Sequence, residues 1–73
     1  MLEHLRGLRE DRDISQAEMA DMLNIHQTTY SNYELEKGNI PLQTLIGLAD
    51  YFQTSIDYLV GLTDERKPYP RKK

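Results

Sequence analysis

The chain has 73 residues, no cysteine and a formal net charge of −3. This length suits one domain, and without cysteine the domain has neither a disulfide framework nor a thiolate metal site. His4 and His26 are far apart and lack matching ligands, so we expect no metal and no cofactor. No apolar run is long enough to span a membrane and no signal-peptide pattern is present, which predicts a cytoplasmic protein.

Helical patterns follow one another through residues 2–62, and no strand pattern interrupts them. Ser15 followed three residues later by Glu18 is a capping box, which starts a helix at Gln16. Pro41 suits the first turn of a later helix, and Ser55 suits the residue before the last one. The predicted helices are residues 2–12, 16–23, 27–35, 41–52 and 56–61, which defines an all-α fold.

Most of these segments carry apolar residues at helical spacing, which marks the face turned towards a core. Leu5 and Leu8 define that face in the first helix. The expected core set of the fourth helix is Leu42, Leu45, Ile46, Leu48, Ala49 and Phe52, and that of the fifth is Ile56, Leu59 and Val60.

The second and third segments together form a distinctive pair. Met19, Ala20 and Leu23 share one helical face, and Ile25, Tyr30 and Tyr33 share the next. Between them stands Asn24, which tolerates the left-handed conformation that ends a helix. Ala20 is small enough to let two helices approach closely. The pattern predicts a helix-turn-helix unit, the arrangement that places a helix in the major groove of DNA.

The composition changes after Leu62. Residues 63–73 contain five basic and two acidic side chains together with Pro68 and Pro70, so they carry +3 while residues 1–62 carry −6. We expect a domain at 1–62 and a basic, disordered tail at 63–73 that adds electrostatic attraction for DNA.

Three stretches carry a family resemblance: L-R-G-L-R-E-D-R-D-I-S-Q-A-E-M-A-D-M-L-N-I, then Y-S-N-Y-E, then P-L-Q-T-L-I-G-L-A-D-Y-F. Together they resemble the phage repressor/Cro type of helix-turn-helix domain, also called the xenobiotic-response-element family. The resemblance implies a compact five-helix bundle of the lambda-repressor-like type. It also implies a bacterial or phage-encoded transcriptional regulator, a nucleoid-associated repressor that binds a pseudo-palindromic double-stranded operator as a homodimer.

The resemblance further implies roles for individual residues. Base contacts fall on Gln27, Thr28 and Asn32, and backbone contacts on Gln16, Lys37 and Asn39. His26 either touches a phosphate or acts as a weak cap of the third helix, the second being favoured. Arg9 and Glu34 match a partly buried ion pair between the first and third helices.

Three positions depart from the family pattern. His26 stands where Ser or Thr usually caps the third helix, Glu36 where Gly usually ends it, and Asp13 where Gly often precedes the second helix. Gly38, two residues later than the usual glycine, is expected to take over the stop.

The chemistry of the third helix fits base recognition. A side-chain amide matches adenine N6 and N7, and the Thr28 methyl can meet the thymine methyl. No Arg or Lys occupies the outer face of this helix, so we expect A·T-containing half-sites. Taken alone, such polar residues are more often simply solvated.

Two other functions remain as alternatives. The acidic body is compatible with a protein-interaction module, such as an antitoxin-like or anti-repressor partner without strong DNA binding. An enzyme is not expected, because the chain offers no nucleophile–base pair, metal cluster or phosphate-binding loop.

The resemblance places the dimer surface near Ile56, Tyr58 and Leu62.

Overall fold

The computed structural model describes residues 1–67, and residues 68–73 lie outside the described part. Five α-helices and no strand form within residues 1–67, which confirms the all-α prediction. None of these helices has the length and apolar character needed to cross a membrane. Their bounds are Glu3–Asp11 (α1), Gln16–Leu23 (α2), Gln27–Glu34 (α3), Leu42–Phe52 (α4) and Ile56–Leu59 (α5).

Side-chain caps start two of the helices. Ser15 Oγ accepts a hydrogen bond from the Glu18 N–H at 3.1 Å, and the Glu18 carboxylate accepts one from the Ser15 N–H at 3.0 Å. This is the predicted capping box. Ser55 Oγ accepts from the Tyr58 N–H at 3.1 Å at the start of α5. Pro41 directly precedes α4 with ψ 145° instead of lying in its first turn.

All five helices end in the same backbone motif. In each, a residue with positive φ follows the helix, and its N–H and that of the next residue donate to carbonyls near the end of the helix, as in a Schellman motif. In α3, the Glu36 N–H donates to the Tyr33 carbonyl at 3.2 Å and the Lys37 N–H to the Asn32 carbonyl at 2.9 Å. The left-handed residues are Asp13 (φ 54°), Asn24 (58°), Glu36 (60°), Gln53 (53°) and Gly61 (84°).

These helix ends correct one prediction and explain two departures from the family pattern. Glu36 takes the left-handed position itself, so the expectation that Gly38 would end α3 is wrong. Asp13 likewise adopts the conformation for which glycine is usually used. The left-handed backbone conformation is therefore kept at both positions although neither residue is glycine.

The core lies where the helices meet. Leu5, Met19, Tyr30, Leu48 and Leu59 are at most 1% exposed. Tyr30 and Tyr33 pack edge to face with ring centroids 6.4 Å apart, as their helical spacing predicts.

The fourth helix departs from its predicted core set. Leu42 is 63% exposed and Ile46 is 38% exposed, whereas Leu48, Ala49 and Phe52 are buried. Successive residues are turned by about 100° around a helix. Ile46 therefore lies to one side of the buried face, which is formed by residues between Leu45 and Phe52. Leu42 is the first residue of α4 and is exposed there.

Residues 63–67 pack against the helical body. Asp64 bonds to His4, Arg66 pairs with Asp11, and the Thr54 hydroxyl donates to the Arg66 carbonyl. This differs from the expected disordered tail beginning at residue 63, because these polar residues find partners on α1 and next to α4. The remainder of that tail, residues 68–73, lies outside the described residues.

Candidate nucleic-acid interface

The α2–α3 unit is built on one close helix crossing. Ala20 is 2% exposed and Met19 is fully buried. The Ile25 N–H donates to the Ala20 carbonyl at 3.0 Å, which fixes the turn beside the left-handed Asn24. A larger side chain at position 20 would push the two helices apart.

The two sides of α3 are chemically distinct. Tyr30, Tyr33 and Glu34 are 0%, 8% and 2% exposed and face the core. Gln27 and Thr28 are exposed on the other side, where Asn32 is half-buried. Ser31, which the sequence reasoning did not select, is also half-buried, and its spacing of four from Gln27 places it on the same face.

Arg9 and Glu34 form a bidentate ion pair between α1 and α3. Arg9 Nε donates to one Glu34 carboxylate oxygen at 2.7 Å and Arg9 Nη2 to the other at 3.3 Å. A third donor, Nη1, bonds to the Ile14 carbonyl at 2.8 Å. The side chains are only 10% and 2% exposed, so the pair is shielded from solvent.

This pair holds Glu34 in its ionised form. Burial opposes ionisation, but the hydrogen bonds to Arg9 and Gln16 outweigh it and keep the pKa of Glu34 below its usual value. The hydrogen bond with Glu34 correspondingly raises the pKa of Arg9. A carboxylate that accepts several hydrogen bonds is stabilised in its charged form.

Gln16 is a third member of this network, which the sequence did not indicate. Its Nε2 donates to Glu34 Oε1 at 3.1 Å, and the side chain is partly buried. A carboxamide has two N–H donors and a carbonyl acceptor. One donor is thus engaged with Glu34, and the rest of the group keeps hydrogen-bonding capacity for a ligand beside the start of α2.

The other three residues assigned to backbone contact are exposed. Lys37 and Asn39 lie in the loop between α3 and α4. His26 occupies the residue before α3, but its side chain makes no capping hydrogen bond. The weak-cap role favoured for His26 is therefore wrong, and the side chain is available to solvent.

Few cations of the helical body are available to a polyanion. Arg9 is buried against Glu34, and Arg6 pairs with Glu10 at 3.3 Å. Arg12 lies 5.0 Å from the Tyr51 ring centroid and donates to the Tyr51 carbonyl. Among the basic residues of 1–62, Lys37 alone has no ion pair or side-chain hydrogen bond within the described structure.

The α2–α3 crossing, with its polar outer face on α3, defines a helix-turn-helix domain. A family model described as helix-turn-helix matches residues 5–59. The chain therefore belongs to this family, which confirms the resemblance stated above.

Several proteins are similar in sequence to this chain over nearly its whole length. The uncharacterized HTH-type transcriptional regulator YobD of Bacillus subtilis (strain 168) is 34% identical over 97% of this chain and 63% of its own length. The cryptic phage CTXphi transcriptional repressor RstR of Vibrio cholerae serotype O1 is 37% identical over 89% of this chain and 60% of its own. Control protein C.SmaI of Serratia marcescens is 32% identical, covering 90% and 82%.

The chain thus spans about three fifths of the length of the first two relatives. No solved structure matches the chain significantly.

Proposed function

We propose that this protein is a sequence-specific DNA-binding transcriptional regulator, a repressor, that inserts α3 in the major groove. The observation that carries the proposal is the exposed polar side of α3, set opposite a side that is fully engaged with the core. An α-helix with its side chains is about 10–12 Å in diameter, which fits a major groove about 12 Å wide. The family membership and the names of the relatives support the same function.

Gln27, Thr28 and Asn32 are the proposed base-contacting residues. Gln27 and Asn32 can each present a donor and an acceptor to adenine, and Thr28 can meet a thymine methyl. No basic residue occurs in α3, so bidentate guanine recognition has no candidate there. The proposed half-sites therefore contain A·T pairs at the positions read by α3.

Gln16, His26, Lys37 and Asn39 are the proposed contacts to the phosphate backbone. They are spread over the start of α2, the turn before α3 and the loop after it, so they bracket the recognition helix along the chain. All but Lys37 are uncharged when the histidine is neutral. Such contacts fix the register of the helix on the duplex without reading its sequence.

A homodimer on a pseudo-palindromic operator completes the proposal. Because residues 1–62 carry a net charge of −6, a single domain gains little binding energy from attraction to phosphate. In a dimer, the contacts to two half-sites would contribute together to the affinity. Half-sites about 34 Å apart would suit two symmetric domains. Leu62 is 77% exposed and offers an apolar contact near half-buried Ile56 and Tyr58. We place such a regulator in the cytoplasm and assign no catalytic reaction to it.

Selection from randomised duplexes tests this function directly. We expect enriched sites to be pseudo-palindromic, with A·T pairs in each half-site. Enrichment of G-rich half-sites would contradict the proposed roles of Gln27 and Asn32.

A protein-interaction module is the second candidate, favoured by the shortage of free cations described above. A gel shift with random duplex at low salt separates the two functions. A regulator should bind the duplex and be displaced by competitor DNA. Absence of binding at low salt would favour the interaction module.

A further inference from the structure

The carboxylate of Glu34 is shared by donors from two other helices. Its Oε2 accepts a hydrogen bond from Arg9 Nε on α1 at 2.7 Å. Its Oε1 accepts one from Gln16 Nε2 on α2 at 3.1 Å. Glu34 is the last residue of α3 and is 2% exposed. A single buried carboxylate therefore joins the inner side of α3 to the residue at the start of α2 that we propose to contact a phosphate.

The contact with Glu34 selects one orientation of the Gln16 carboxamide. Rotation of the amide by half a turn exchanges its carbonyl oxygen and its NH2 group. An ionised carboxylate accepts hydrogen bonds and donates none, so the NH2 group has to face Glu34. The bidentate pair with Arg9 holds Glu34 in this ionised form, as described above. The reversed orientation would place two acceptor oxygens against each other.

The same NH2 group is what a phosphate requires. The oxygens of a DNA phosphate only accept hydrogen bonds, so a carboxamide binds one through an N–H. One N–H of Gln16 Nε2 is engaged with Glu34, and the second remains for a ligand. Without the carboxylate, both amide orientations and several rotamers are open, and only a fraction of them offers an N–H to a given phosphate.

The ion pair also limits the repulsion between Glu34 and DNA. A lone carboxylate near the backbone would repel a phosphate, but Arg9 and Glu34 together carry no net charge. Their side chains are 10% and 2% exposed. Neither therefore competes with half-buried Gln16 for the same phosphate.

The backbone of Gln16 is fixed by a separate device. The capping box of Ser15 and Glu18 starts α2 at Gln16 and uses only neighbouring groups. It does not involve Glu34. Loss of the carboxylate should therefore release the side chain of Gln16 while the start of α2 keeps its place.

We propose that Glu34 is a positioning residue for DNA binding: it accepts one N–H of Gln16 and so fixes the carboxamide with its other N–H towards an operator phosphate. The proposal rests on the DNA-binding function proposed above and deepens it. It gives Glu34 a role in affinity beside its role in stability, and it leaves the reading of bases to the outer side of α3.

A double-mutant cycle on binding to the selected duplex tests this role. Glu34→Gln keeps the shape of the side chain but offers both a carbonyl and an NH2 group, so it no longer selects one orientation of Gln16. Ordering a side chain on binding should then lower the affinity by about two- to ten-fold. In a Gln16→Ala background the same change should have no further effect, because the group that it positions is absent.

Asn39→Ala provides the matched control background. Asn39 is another proposed phosphate contact, but it is exposed in the loop after α3 and makes no bond to Glu34. Glu34→Gln should therefore keep its full effect there. An equal effect of Glu34→Gln in all three backgrounds would overturn the positioning role, and so would an effect that disappears in both alanine backgrounds.

NMR of the unmodified chain tests the orientation without any loss of stability. The side-chain NH2 of Gln16 in the free protein should have a higher order parameter than that of exposed Gln27. On addition of the duplex, one of the two Gln16 NH2 protons should shift more than the other. Equal mobility of the two carboxamides in the free protein would overturn the proposal.

Failure of this proposal is distinguishable from failure of the DNA-binding function. If the parent chain does not bind the duplex, both fail. If the parent binds and Gln16→Ala binds equally well, Gln16 is not a phosphate contact, and only the positioning role of Glu34 is overturned. In Glu34→Gln, the backbone N–H resonance of Glu18 should stay in place, and a large shift there would assign the effect to distortion of α2 instead.

Discussion

The two sides of α3 differ in what holds their side chains. On the inner side, Glu34 accepts hydrogen bonds from Arg9 and Gln16, and Tyr30 and Tyr33 are packed in the core. On the outer side, Gln27 and Thr28 are exposed. The same eight residues thus separate stability from proposed recognition, and substitutions on the two sides should have different effects.

The largest expected effect is on the inner side. Glu34→Ala leaves Arg9 charged and buried without its partner, which typically costs about 3–5 kcal/mol of unfolding free energy. Gln27→Ala, an exposed change in the same helix, should cost about 0.5 kcal/mol or less. Urea denaturation of both variants measures the difference. Equal losses would mean that the ion pair contributes no more than a surface residue.

The next effect is on the outer side and concerns binding. Gln27→Ala should weaken operator binding by about 1–3 kcal/mol, since one bidentate base contact is lost, while the melting temperature stays near that of the parent chain. Fluorescence anisotropy with the selected duplex measures this. Gln53→Asn, a carboxamide change at the end of α4, is the control and should bind like the parent. Retained affinity in Gln27→Ala would remove Gln27 from the proposed interface.

The third effect is the response of the inner network to acid. Because the folded state lowers the pKa of Glu34, its stabilising contribution is present above the ordinary value of 4.5 and is lost as the pH falls through the lowered value. Glu34→Gln should therefore show a flatter loss of stability below pH 4.5 in urea titrations.

Glu18 contributes to the same acid response, because hydrogen bonds from Ser15 lower its pKa. Glu18→Gln is accordingly the comparison variant, and its exposed capping box should account for the smaller share. An acid response in Glu34→Gln as steep as that of the parent would assign the effect elsewhere.

The smallest expected effect lies outside α3, at a helix end. Gln53 has a φ of 53°. This left-handed backbone conformation costs more free energy for a residue with a Cβ atom than for glycine. Gln53→Gly should raise the unfolding free energy by up to about 1 kcal/mol, whereas Gln43→Gly inside α4 should lower it by about 1 kcal/mol. Thermal denaturation compares the two, and a loss in both would mean that position 53 is not strained.

Local signals in the sequence were sufficient for the helices and for most of the core. The spacing of Ser15 and Glu18 specifies the start of α2 because a capping box involves only neighbouring residues. Tyr30 and Tyr33 are three apart, so the period of the helix alone places both on its inner face. The roles assigned to Gln27, Thr28 and Asn32 came instead from the resemblance to the phage repressor/Cro family.

Features that depend on tertiary packing were not accessible in this way. The bond from Gln16 to Glu34 joins residues 18 apart, and no local pattern announces it. The end of α3 was misplaced at Gly38 because glycine is the residue that most readily adopts positive φ, whereas the surrounding fold imposes that conformation on Glu36. Residues 63–67 were expected to belong to a disordered tail because their polar composition says nothing about the partners that Asp64 and Arg66 find on α1.

Tyr30 gives the folded domain an optical signature. Its ring is completely buried, and burial is the main reason that the pKa of its phenol lies well above the usual value of 10.0. The folded state therefore retains this proton, and stability should fall as the pH rises beyond 10.0. The chain has five tyrosines and no tryptophan, so the difference in phenolate absorbance between this chain and a Tyr30→Phe variant would mark alkaline unfolding without any added label.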